Sequence, residues 1–214
     1  MTDALLPKGS VVAVGMRSEA ALLPAGARVV ISGGDPARLA ALLEELPDDI
    51  TGVLSFGIAG GLGPQTRTGD VFVATALRSR SESLPVDPDW RAALIRRTSA
   101  ASAILAASDT LLSTVEAKRA LHLATRAMAV DMESGVAARF ARARGIPFAA
   151  LRVVADGPND VLPRAAAAGL KPDGSPAPFR VLASLVRRPW ELPALIRLAK
   201  ASTAAHEALR RALA

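Results

Sequence analysis

A three-layer α/β sandwich with a central mixed sheet is the fold this sequence predicts, and three features predict it. Short apolar runs alternate with segments of helical spacing from Val11 to Asp156. Several of those runs end in glycine or in a carboxylate, as strands do where a parallel sheet opens onto a ligand. One run, Val71–Ala76, follows its predecessor too closely for a crossover helix, so an antiparallel or mixed setting is expected for it. The 214 residues, half of them apolar, suffice for one domain with its own core.

Val11–Met16 (VVAVGM) reads as a buried strand, followed by Arg17-Ser18-Glu19 and a short turn of helix. Ala27–Ser32 is a second strand that runs into Gly33-Gly34. Asp35 then caps a helix with Pro36 at its first position and Leu39, Leu42, Leu43 and Leu46 as its buried stripe. A third strand, Gly52–Phe56, enters Gly57-Ile58-Ala59-Gly60-Gly61, where backbone can approach a ligand closely. After Val71–Ala76, Pro88–Thr98 is helical and Ala103–Ala107 is a strand. Ser113 and Glu116 are spaced as a capping box for a helix running through Arg126.

Ala127–Asp131, Ser134–Arg144 and Phe148–Asp156 read as strand, helix, strand, with Gly145 and Pro147 stopping the helix. Read as a βαβ unit, this stretch brings two strand ends to one sheet edge, and Glu133 and Asp156 with them. Residues 157–178 change texture to Pro, Gly, Asp and Ala, as a lid or specificity loop does. Residues 179–214 form two basic amphipathic helices. Phe179, Leu182, Val186 and Trp190 share a face of the first; Leu192, Leu195, Ile196, Ala199, Leu209 and Leu213 line the second. No internal repeat is present.

The composition excludes several chemistries. With no cysteine, disulfides and thiolate metal sites are impossible. The two histidines, His122 and His206, lie within helical segments away from strand ends, so no metal or cofactor is expected. No apolar run approaches the ~20 residues of a membrane span. The N-terminus lacks the regions of a signal peptide, so a cytosolic location is expected. Residues 164–214 carry nine Lys/Arg against three Asp/Glu, leaving 17 of each sign in the rest, so the net charge of +6 resides in the tail. That tail has the arginines, the apolar stripe and the Trp190 of a helix lying on a membrane surface, although packing on the sheet is the alternative. Five Phe, two Trp and no Tyr offer no stacking platform for nucleic acid.

Each polar strand end has a plain reading of its own. Glycines make turns, Glu133 can cap its helix, Asp156-Gly157 can be a turn and Glu19 a solvated first-turn residue. Their combination is more specific. GM-x-x-E after the first strand, GIAGGL after the third, VDMES and RVVADG, in this order, resemble the purine nucleoside phosphorylase and nucleosidase superfamily. The Glu19 motif is most similar to the methylthioadenosine/S-adenosylhomocysteine nucleosidases. The tail, LVRRPWELPALIRLAK, resembles the hopanoid-associated phosphorylase branch, linked to release of adenine from adenosylhopane.

The resemblance implies a single domain over 1–214 and cleavage of a purine N-glycosidic bond. Asp156 would be the general acid for the leaving base, and Glu19 the partner of the attacking water. Glu133 would hold ribose hydroxyls, with Met132 against the sugar; Ile58, Ala59 and Gly60 would lie along base and sugar; Arg152 would stand near the site. Ser55 and Ile58 occupy the positions where phosphorolytic relatives carry a phosphate-binding arginine and serine, and Glu19 would repel phosphate. Hydrolysis is therefore favoured over phosphorolysis, with Arg17 or Arg152 left as possible ligands for phosphate as co-substrate. Leu111 or Leu112 replaces the aromatic that the nucleosidases place near the base. A homodimer is expected from the same resemblance, and a nucleoside- or lipid-binding module without catalysis is the alternative to an enzyme.

Overall fold

Among the described residues, eight strands build one mixed sheet, and it closes partly upon itself. The computed structural model describes residues 5–163, 166, 169 and 171–214, the side chains of Phe179 and Arg180 excepted. The strands are β1 (Ser10–Val14), β2 (Arg28–Ile31), β3 (Gly52–Gly61), β4 (Val71–Arg78), β5 (Ser83–Pro85), β6 (Ala101–Ala107), β7 (Ala129–Asp131) and β8 (Phe148–Asp156). Their order is β2-β1-β3-β7-β6-β4-β5, and β8 pairs with both β3 and β4, completing a ring of β3, β7, β6, β4 and β8. The helices are α1 (Arg17–Ala20), α2 (Pro36–Glu44), α3 (Pro88–Thr98), α4 (Val115–Thr125), α5 (Ser134–Ala143), α6 (Pro178–Arg187) and α7 (Leu192–Leu213). Every residue of β1 and of β8 is buried, the signature of strands covered on both faces. The three-layer reading of the sequence therefore holds.

Local chemistry explains most element ends. The Asp35 side chain accepts from the N–H groups of Ala37 and Arg38, with Pro36 at the first position of α2, and Leu39 and Leu43 are fully buried beneath it. Asp87 does the same for α3 through the N–H of Trp90. At α4 the cap is Thr114, which accepts from Ala117 N at 3.2 Å, so the expected Ser113–Glu116 box is displaced by one residue. The final turn of α5 gives way to Gly145 at φ +65°, a left-handed conformation that costs glycine little.

The long-range pairing revises two sequence readings and bears out a third. The glycine-rich segment after Phe56 is not a turn: β3 continues through it to Gly61. β4 is indeed mixed, antiparallel to β8 and parallel to β6. The stretch from Ala127 to Asp156 is not a parallel βαβ unit, because β7 runs antiparallel to β3 whereas β8 runs parallel to it. Val130 and Asp156 both register with Gly60, from its two sides, so the strand ends meet at the C-terminal half of β3 from opposite directions. A bulge between Ala59 and Gly60 accompanies the meeting point, as is common beside functional sites.

The C-terminal region divides unexpectedly. Ala205, Ala208 and Leu209 of α7 are buried, and this helix packs on β8, β3 and β4. Its first turns are different: Leu192, Ile196 and Ala199 are exposed rather than lining a packed face. α6 ends at Arg187, Trp190 lies in a single 3₁₀ turn (Pro189–Glu191), and Leu182, Val186 and Trp190 are exposed. Of the 157–178 loop, residues 164, 165, 167, 168 and 170 lie outside the described set. Its later part folds over the ends of β1 and β2: Arg17 N donates to Gly174 O at 3.1 Å. A side chain at Gly33 would strike the backbone of Lys171 and Pro172.

Candidate active site

Where β7, β8 and the glycine-rich half of β3 converge, a cavity of about 190 Å³ opens. Gly15, Met16, Glu19, Gly34, Ile58, Ala59, Gly60, Leu111, Leu112, Met132, Glu133 and Asp156 are among its walls. Of the residues singled out in the sequence, Asp156, Glu19, Glu133, Met132, Ile58, Ala59, Gly60 and Leu111 are thus brought together. Arg152 stands behind the wall.

Glu19 is 1% exposed rather than solvated. It occupies the third position of α1, and its carboxylate folds back onto the start of that helix. Oε2 accepts from Gly15 N and Met16 N, both at 2.8 Å, and Oε1 accepts from Ile58 N at 2.8 Å. The glycine-rich strand thus presents its amide to this carboxylate. Gly57, at φ +143°, has to be glycine for that approach, because a methyl group there would collide with Glu19. Burial pushes the Glu19 carboxyl above its usual range, opposed by the Arg152 guanidinium and by the Ile58 and Met16 amides.

Glu133 does not cap α5. Asp131 does that work: its Oδ1 accepts from Glu133 N at 2.9 Å and Ser134 N at 2.6 Å. Released from the cap, the Glu133 carboxylate lies beside Gly15 and receives the Ser32 hydroxyl at 3.4 Å. Arg152 reaches it at 3.4 Å and pairs more closely with Asp131 at 2.9 Å. Arg152 also donates to Ser55 Oγ and to Ile58 O, so this buried guanidinium braces the floor of the site.

Burial pushes the Glu133 carboxyl up to about 7; Arg152 opposes the shift, and the charges of Asp131 and Glu19 add to it. The folded protein therefore holds this proton more tightly than the unfolded chain. The resulting stabilisation is fully present below about 4.5 and is lost as pH rises through about 7. Its upper bound is on the order of 3 kcal/mol. The Tm of the unliganded wild type is expected to fall more steeply between about pH 5 and about pH 8 than that of Glu133→Gln. Equal slopes in differential scanning fluorimetry would refute the assignment.

Asp156 has a partner that sequence reading missed. Lys118, on α4 and only 1% exposed, donates from Nζ to Asp156 Oδ2 at 2.5 Å. Its other donors go to Gly157 O at 2.8 Å and Asp160 O at 2.9 Å, which uses all three protons of an ammonium group. Burial raises the Asp156 carboxyl, Lys118 opposes that shift, and Asp160 adds to it. A sequence signal for Lys118 did exist: it lies at i, i+3 and i+7 with Leu121 and Thr125, the buried stripe of α4. A lysine on such a stripe ordinarily carries its charge to solvent, so the spacing alone argued the other way.

The remaining expected groups are accounted for. Arg17 turns outward to Asp173 at 3.2 Å, and Arg152 is committed to Asp131 and Glu133. His206 meets Ser18 Oγ at 2.9 Å, one residue from Glu19, and His122 meets Ala127 O at 2.8 Å. Among the described residues no His/Asp/Glu cluster could hold a metal ion. Leu111, Leu112, Val130 and Leu162 supply the apolar wall.

Residues 28–185 match the phosphorylase superfamily, and the chain belongs to that family. Solved structures share its fold at low identity. A mutant of Helicobacter pylori MTAN with 5'-methylthioadenosine in the active site has a TM-score of 0.66 at 16% identity, over 97% of this chain and 99% of that one. An S-adenosylhomocysteine nucleosidase from Streptococcus pyogenes in complex with 5-methylthiotubericidin has a TM-score of 0.66 at 16% identity, over 96% and 97%. The futalosine hydrolase of Helicobacter pylori has a TM-score of 0.62 at 15% identity, over 96% and 97%. No curated protein matches the sequence significantly.

Proposed function

We propose that this protein hydrolyses the N-glycosidic bond of an adenine nucleoside and releases adenine. The observation that carries the reading is the set of three buried carboxylates, Glu19, Glu133 and Asp156, around one cavity, with Glu19 already filling the N–H cradle of Gly15, Met16 and Ile58. Backbone amides grouped in this way suit an anion. A phosphate would have to displace or adjoin a buried negative charge, and neither Arg17 nor Arg152 is turned to receive it. A neutral water has no such conflict.

In this scheme the C–N bond breaks as positive charge builds on the sugar and negative charge on the base. Ionised Glu133 favours the sugar charge electrostatically. A water oriented by Glu19 adds to the anomeric carbon and gives up a proton to the Glu19 carboxylate. Asp156, in its protonated form, delivers a proton to the purine and returns to the carboxylate that pairs with Lys118. The apolar wall of Leu111 and Leu112 packs on the base in place of an aromatic.

The substrate we favour is an adenosine with an apolar 5′ extension; adenosylhopane, which would yield ribosylhopane in hopanoid biosynthesis, is the case implied by the sequence resemblance. The nucleosidase folds with 5'-methylthioadenosine or its analogue support methylthioadenosine as a second reading. Adenine release should be measured in phosphate-free buffer with adenosylhopane and with methylthioadenosine. Turnover without phosphate is expected, faster for adenosylhopane. Release that strictly requires phosphate would overturn the hydrolytic assignment, and none from any adenosine-type substrate would favour a non-catalytic binding module.

A further inference from the structure

Eight large hydrophobic side chains are exposed among the described residues, and five of them, Leu182, Val186, Trp190, Leu192 and Ile196, fall within fifteen positions. Leu182 and Val186 are one turn apart on α6, and Leu192 and Ile196 are one turn apart on α7, with Trp190 between the helices. Val186 is 77% exposed and Trp190 72%. Arg187, Arg197 and Lys200 are exposed in the same span, and the single acidic residue there, Glu191, lies 3.9 Å from Arg188. An apolar strip this large is uncommon on a monomer's surface unless something covers it.

We propose that this strip docks on an anionic phospholipid bilayer. Apolar side chains flanked by cations, with a tryptophan at the boundary, fit the headgroup layer of an acidic membrane. Charge complementarity selects this occupant over a second copy of the chain, because a self-complementary contact would bring one cation-rich strip against another. The location adds a consequence. A cavity of about 850 Å³ lies between the start of α7 and the loop after β8, lined by Trp190, Ala194, Arg197 and Leu198. Asp156 and Leu162 line this cavity and the active-site cavity alike, so the docking face adjoins the catalytic site. The inference does not depend on which bond the enzyme cleaves.

Tryptophan emission tests it directly, because Trp90 is only 4% exposed and Trp190 is the responsive reporter. Full-length protein should be mixed with phosphatidylcholine vesicles with and without phosphatidylglycerol. The acidic vesicles are expected to shift the emission to the blue and to co-sediment the protein, with binding at least about ten-fold weaker to phosphatidylcholine alone. Val186→Glu, at an exposed position, should keep the wild-type Tm and weaken binding about ten-fold or more. No binding to acidic vesicles would overturn the proposal, as would equal binding by Val186→Glu. Emission already blue without lipid, together with a dimer in light scattering that Val186→Glu dissociates, would assign the face to self-association instead.

Discussion

Replacing Asp156 with Asn is expected to lower kcat for adenine release by about 10²–10⁴-fold, the usual contribution of a positioned general acid, with a much smaller change in KM. The amide fills the same space but has no proton to transfer to the purine. The substitution also removes the negative charge facing buried Lys118, and an unpaired buried cation costs about 3–5 kcal/mol, so Tm should fall as well. The two effects separate in Lys118→Met/Asp156→Asn. The neutral pair should recover much of the lost Tm and none of the lost kcat. Lys118→Met alone should lower kcat less than Asp156→Asn. It should also move the basic limb of the kcat/KM profile to higher pH, because Lys118 opposes the upward shift of the Asp156 carboxyl. Single-turnover adenine release and scanning fluorimetry decide the matter. If Asp156→Asn retains wild-type kcat, the acid is another group.

Glu19→Gln carries the second large expectation. All three neighbours of this carboxylate are N–H donors, Gly15, Met16 and Ile58. A glutamine can turn its single oxygen to one side only, which sets its amide N–H group against a donor on the other. The mismatch costs about 1–3 kcal/mol, and the group that orients and deprotonates water is lost with it. Hydrolysis should fall by about 10²–10⁴-fold. A phosphorolytic enzyme predicts the opposite tendency, since removing negative charge from the cradle would ease phosphate binding. Adenine release by Glu19→Gln with and without added phosphate discriminates the two: phosphate-dependent rescue to the wild-type rate would overturn hydrolysis.

The legible part of the site was the part carried by strand ends. Glycines and carboxylates that interrupt apolar runs mark the edge of a sheet whatever the topology, so Ile58–Gly60, Glu133 and Asp156 could be named before the strands were paired. They do not meet as the ends of a parallel βαβ unit. β7 and β8 are antiparallel to each other and converge through Gly60, an arrangement that depends on β3 extending five residues beyond Phe56. Asp131 shows the same limit at closer range. Whether it or Glu133 caps α5 is a matter of which carboxylate the backbone turns toward Ser134; both border the cavity, but Asp131 commits Oδ1 to the amides of Glu133 and Ser134.

By itself, the sequence determined the α/β class, the order of most elements and several helix ends, because periodicity, caps and glycine stops act over a few residues. Tertiary structure alone decided which charges are buried and what they face. Lys118 and Asp156 are 38 positions apart, and Glu19 reaches Ile58 across 39. Those pairings set the protonation of the site, and they follow from burial by distant segments, which no local pattern records. The same holds for α7: one amphipathic helix has its later turns sealed against β8 and its first turns left open beside Trp190.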